Sequence, residues 1–148
     1  MAIDSAANTL TLTASDVKDM AGFNLIHTGS ASVDGKTWTN VTGTALGAST
    51  AYHQLVVEGT ALDSLNLNSA VATWTNAGTV SNGTNTYNVY QNTATNTQVI
   101  VSAAVSLVSP LSVVGTQGAD TLNGNEASDA IMGGTGYVRN GQFEYWNA

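Results

Sequence analysis

The chain has 148 residues, a net charge of −7 and only 9% charged residues, against 43% hydrophobic. That is material for one domain with a short extension, its polarity carried by Thr, Asn and Ser, which suit pleated strands and turns. Three basic residues, Lys18, Lys36 and Arg139, are too few and too scattered to track a phosphate backbone or an anionic membrane surface. The absence of cysteine excludes disulfide and thiolate chemistry.

No apolar run reaches the roughly 20 residues of a transmembrane helix, so no membrane insertion is expected. Residues 1–10 lack the basic-then-apolar pattern of a signal peptide. Three expectations follow, a cytosolic chain, export by another route, or an excised fragment with an added Met, and the last is favoured.

Thr9-Leu10-Thr11-Leu12-Thr13 alternates with period two and predicts a strand with both leucines on one face. Ser15 as N-cap, with Asp16 near the positive helix end, predicts one short helical turn over residues 15–20, stopped at Ala21-Gly22. Residues 23–28 read as a second strand, with Phe23, Leu25 and His27 on one side. A turn at Asp34-Gly35 and a returning strand over 37–41 follow, then loop to Thr50. Residues 52–58 are a strong strand, with His53, Leu55 and Val57 on one face. Leu65 and Leu67 begin another, and residues 71–75 carry Trp74. Asn82-Gly83 separates Thr79-Val80 from 87–90, a hairpin or wider loop. Residues 97–108 give the clearest strand, with Val99, Val101, Ala103, Val105 and Leu107 on one face, until Ser109-Pro110 breaks the chain. The fold class predicted is all-β: an antiparallel β-sandwich-like domain of about seven to nine short strands with one short helical turn.

After the proline the chain changes character. Gly115-Thr116-Gln117-Gly118-Ala119-Asp120-Thr121-Leu122-Asn123 is followed by Gly124-Asn125-Glu126-Ala127-Ser128-Asp129-Ala130-Ile131-Met132. The period is nine: Asp recurs at 120 and 129, and an apolar residue two positions later, at Leu122 and Ile131. This resembles the calcium-binding nonapeptide of RTX (repeats-in-toxin) proteins. The resemblance implies a short β-roll fragment in which Asp120, Asp129, Gly118 and Asn125 supply oxygens to calcium between stacked turns. Ala127 departs from the pattern where Gly is expected, and Val138 where the next Asp would stand. Turns on one side of a roll are two repeats apart, so the expectation is at most a partial site, with a metal-free Gly/Asn/Asp-rich linker as the alternative.

The strand sequences over 9–108, from Thr9-Leu10-Thr11-Leu12 and Ser15-Asp16-Val17 through Leu55-Val56-Val57-Glu58-Gly59 and Thr86-Tyr87-Asn88-Val89-Tyr90 to Gln98-Val99-Ile100-Val101, are similar to modules near the C-terminal ends of giant RTX adhesins and biofilm-associated surface proteins. The resemblance implies type I secretion, an extracellular, cell-surface location and a role in cell adhesion. The organisation expected is a β-sandwich-like adhesin module over 1–109 and RTX-like repeats or linker over 110–136. Residues 137–148 would be the start of a further β domain or a disordered tail.

Catalysis needs convergent groups, and no nucleophile elbow, phosphate loop, dinucleotide fingerprint or zinc spacing is present, so no enzyme is expected. His27 and His53 read as structural. Trp38 and Tyr90 are the candidate ligand-binding aromatics, a sugar-stacking platform, set against the plainer reading of strand aromatics as core plugs. Tyr87 and Tyr90 should point to opposite faces, leaving one exposed. Three functions are open: a spacer or cap beside calcium-binding repeats, contacting neighbouring modules of its parent protein; a carbohydrate- or peptide-binding module with residues 29–50 as its loop; and a self-assembling module, with the 137–146 tail donating a strand to a neighbour.

Overall fold

The computed structural model describes residues 5–68 and 74–108 in full, with the backbone of four short strands beyond them. The body contains β1 (Thr9–Leu12), α1 (Ala14–Met20), β2 (Gly22–Phe23), β3 (Thr39–Gly43), β4 (His53–Val57), β5 (Ser64–Leu67), β6 (Thr75–Ser81), β7 (Thr86–Asn92), β8 (Thr97–Ser102) and β9 (Ser106–Leu107). The all-β class with one short helix holds.

Two sheets form the body. One has three strands in the order β1-β5-β9, and the other six in the order β2-β4-β8-β7-β6-β3. They share a core: Leu12, Leu65 and Leu67 of the small sheet meet Val57, Tyr90, Val99 and Val101 of the large one, with Val17 of α1 and Val105. The far face of the large sheet is buried too, because the segments 24–38 and 44–50, on either side of β3, fold across it and pack Ile26, Trp38, Ala45 and Leu46 on Val80, Tyr87, Val89 and Ile100. Coverage on both faces explains why residues 97–101 of β8 are buried without alternation.

The antiparallel expectation needs correction. β1, β5 and β9 are parallel throughout, and β4 runs parallel to β8 with His53 opposite Thr97 and Val57 opposite Val101. Within the body, the antiparallel pairs are β2-β4, β8-β7, β7-β6 and β6-β3. A parallel pair needs a long connection, and the β6-β7 hairpin lies within the one joining β4 to β8.

Local differences have local causes. Thr13, not Ser15, caps α1: its hydroxyl accepts from Asp16 N while the Asp16 carboxylate accepts from Thr13 N, a reciprocal box that starts the helix earlier and lengthens it to seven residues. The second strand ends at Phe23 because Asn24 takes the left-handed conformation (φ 51°), its carboxamide oxygen accepting from Thr50 N and Oγ1. The long strand over 97–108 is two. It turns at Ala103-Ala104, with Val105 N–H donating to Ser102 O, and passes from the large sheet to the small one. Val99, Val101 and Val105 still reach one core because the corner keeps them on its inner side. Of the strand expected over 71–75, residues 71–73 lie outside the described residues.

β3 is the long exposed edge of the large sheet, and all five of its residues are exposed. Its pairing shifts register at Val41, and β6 shifts at Ala77. At the end of the ladder Gly43 and Gly78, both at positive φ, come so close that a Cβ on either meets the opposing backbone. Bulges of this kind bend an edge away from further pairing.

Beyond the body, β10 (Ser112–Val114) pairs in parallel with β11 (Ala130–Met132), Ser112 opposite Ala130. β12 (Gly136–Arg139) and β13 (Gln142–Tyr145) form an antiparallel pair in which Arg139 faces Gln142.

Candidate functional site

The two rings expected to form a stacking platform lie in the interior. Trp38 is 1% exposed and Tyr90 5%, and they belong to different cores on opposite faces of the large sheet. Neither offers a face to a sugar. Tyr87 and Tyr90 do point to opposite faces, but both are buried, because the large sheet has no solvent face at β7. The proposed calcium ligands Asp120, Asp129, Gly118 and Asn125 lie outside the described residues. Among the described residues no three acidic or histidine side chains gather as a metal would require.

The polar groups that do converge hold backbone and one another. Trp38 donates Nε1–H to Asp34 Oδ2 at 3.0 Å and packs on Tyr87 with ring centroids 4.9 Å apart. The Tyr87 hydroxyl donates to Glu58 Oε1 at 2.7 Å and accepts from Asn82 Nδ2 at 3.1 Å. Asn82 Oδ1 in turn accepts from Thr84 N and Asn85 N, so one carboxamide closes the β6-β7 loop and anchors the tyrosine. Burial, reinforced by the Glu58 bond, raises the Tyr87 hydroxyl above the ordinary tyrosine value, and burial alone raises Tyr90.

The two histidines remain apart in role. His27 sits in the irregular segment after β2, its Nδ1 3.3 Å from Thr28 O. His53 opens β4 and meets Phe23 edge-on, with ring centroids 5.4 Å apart.

Two features escaped the sequence reading. Gln54 and Gln98 are fully buried side by side on β4 and β8. Gln54 accepts from Ile26 N at 2.8 Å and donates to Ile26 O at 2.9 Å and Gln98 Oε1 at 2.9 Å; Gln98 donates to Ala45 O at 3.0 Å. The pair ties the segments 24–38 and 44–50 to the sheet. The signal was present as a near-repeat, His53-Gln54-Leu55-Val56-Val57 against Thr97-Gln98-Val99-Ile100-Val101, which the parallel register superposes residue for residue.

The second is Asp63, a turn carboxylate that is only 1% exposed. It accepts from Thr60 N at 2.7 Å, and from Asn8 N and Nδ2 at 3.2 Å each. The Thr60 amide, with Asn8 adding to it, holds its carboxyl below the ordinary range; the Thr13 hydroxyl and amide do the same for Asp16.

These shifts set a pH dependence. A carboxyl lowered in the folded state stabilises the fold while ionised. That gain is complete above the unfolded value near about pH 3.9 and disappears as pH falls through the folded value. A tyrosine raised in the folded state works the other way: its gain is complete below about pH 10 and disappears as pH rises. Melting temperature should therefore be flat near neutrality and fall at both extremes. Asp63→Asn should flatten the acid limb, and an unchanged acid limb in that variant would exclude Asp63 as a contributor.

No family model, no curated protein and no solved structure matches this chain.

Proposed function

We infer that the chain is a non-catalytic, extracellular structural module of a type I-secreted bacterial surface protein, a spacer or cap beside calcium-binding repeats. The observation that carries this reading is the register of β10 on β11. Ser112 pairs in parallel with Ala130, an offset of 18 residues, which is two periods of the nonapeptide and the spacing at which strands on one side of a β-roll stack. The polar interior of the body supports it as well, since every buried network described above ends on backbone or on another side chain of the same domain.

Eighteen residues after Asp120 and Asp129 stand Val138 and Asn147, so the sequence supplies no second acid two periods on from either aspartate. Calcium bound here is therefore weak, and complete sites need neighbouring repeats. Adhesive function falls to the parent protein, whose modules are the partners of this one.

The alternatives draw less support. A glycan platform loses its two aromatics to the core. Self-assembly by strand donation loses its donor, because the tail strands pair with each other, and the bulged β3 is a poor acceptor.

The test is thermal unfolding with calcium and with chelator, alongside light scattering and a glycan array. The expected result is a monomer that captures no glycan and whose midpoint shifts by no more than about 1–2 °C between calcium and chelator, since weak binding adds little by linkage. Saturable glycan capture or a stable oligomer would overturn the spacer reading.

A further inference from the structure

We propose that the three-stranded parallel sheet is a tensile clamp, which makes this module a load-bearing element when its chain is pulled from both ends. β1 is where the chain enters the body and β9 is where it leaves, and both pair in parallel with β5 between them. Tension draws β1 toward its N-terminal end and β9 toward its C-terminal end. The two pulls are opposed and run along the strand axes, so the ladder bonds on either side of β5 are loaded together. Strands pulled apart sideways would lose them one after another.

The bonds sit where the load enters and leaves. Ser64 N–H donates to Asn8 O at 2.8 Å and Asn68 N–H to Leu12 O at 2.8 Å, bracing both ends of β1. Ser106 N–H donates to Asp63 O at 3.1 Å and Val108 N–H to Leu65 O at 2.9 Å, bracing β9. Asp63 joins the two paths: its carboxylate holds Asn8 at the mouth of β1, and its carbonyl holds Ser106 at the start of β9. Sliding β1 along its axis would also drag Leu12 through a closed core shared with Leu65, Leu67 and Val101.

The use of such strength in a cell rests on the spacer reading; the rupture force itself does not, so the two fail separately. The chain has no cysteine, so pairs introduced at exposed positions give unique handles. Ser5, Ala104 and Val108 are exposed. In Ser5→Cys/Val108→Cys the handles load β1 and β9 from opposite ends. In Ser5→Cys/Ala104→Cys both handles lie at the N-terminal ends of these strands, so β1 is peeled. Residues 109–148 stay outside the loaded path in both.

Single-molecule pulling at one loading rate, on variants first matched in melting temperature, should give a rupture force about twofold or more higher in the first geometry, because several hydrogen bonds must break together. Each event should release roughly 100 residues at about 3.5 Å per residue. Asp63→Asn, which loosens Asn8 at the mouth of β1, should lower the force in the first geometry. Equal forces in the two geometries, or a higher force on peeling, would overturn the proposal.

Discussion

Val101→Asp should abolish folding of the body. Val101 is 1% exposed on a central strand, opposite Val57 on β4 and Asn88 on β7, and it lies in the core shared by the two sheets and α1. The substitution forfeits about 1.5–3 kcal/mol of apolar burial. It also places a carboxyl, ionised or not, where no donor is aimed, which costs several kcal/mol more. The sum is comparable with the roughly 5–15 kcal/mol that stabilises a domain of this size. Circular dichroism should show loss of the strand signal, with no cooperative melting transition. Val41→Asp supplies the control. Val41 is 56% exposed at the bulge of β3, so the same change of side chain should shift stability by no more than about 0.5 kcal/mol. A cooperative melt in Val101→Asp would mean that this face of β8 is not the core face.

The inward position of Val101 was legible in the alternation around 97–101, and so were most strand positions, because period-two patterning and turn residues act locally. What the pattern could not carry was the second covered face. Gln54 with Val56, and Gln98 with Ile100, share the faces that alternation assigns to solvent, and only the fold of residues 24–38 and 44–50 across them makes those faces interior. Strand direction was hidden for a similar reason. Antiparallel hairpins leave a turn signal between neighbours, whereas β4 and β8 are joined through the β6-β7 hairpin and announce their pairing only by their similar sequences. The tail carried a plainer cue. Asn140-Gly141 stands between Arg139 and Gln142, the two-residue spacing of a tight hairpin.

The buried amide pair gives the second large expected effect. Gln54→Leu fills similar volume but removes both the acceptor for Ile26 N and the donor to Ile26 O and Gln98 Oε1. Three buried polar groups are left unpaired, at about 1–3 kcal/mol each, so a loss of roughly 3–9 kcal/mol is expected. The loss should be uneven in space. Ile26 is held at both its N–H and its C=O by this one side chain, and Ala45 hangs from Gln98 beside it. Amide exchange over residues 24–38 and 44–47 should therefore accelerate well before exchange in β8, whose own ladder to β4 and β7 is untouched. Hydrogen exchange read by mass spectrometry separates the outcomes. Selective deprotection of 24–38 and 44–47 would mean that the glutamines fasten a layer that can lift from an intact sheet. Uniform deprotection would mean that the layer and the sheet are one cooperative unit, with the amides serving the whole body.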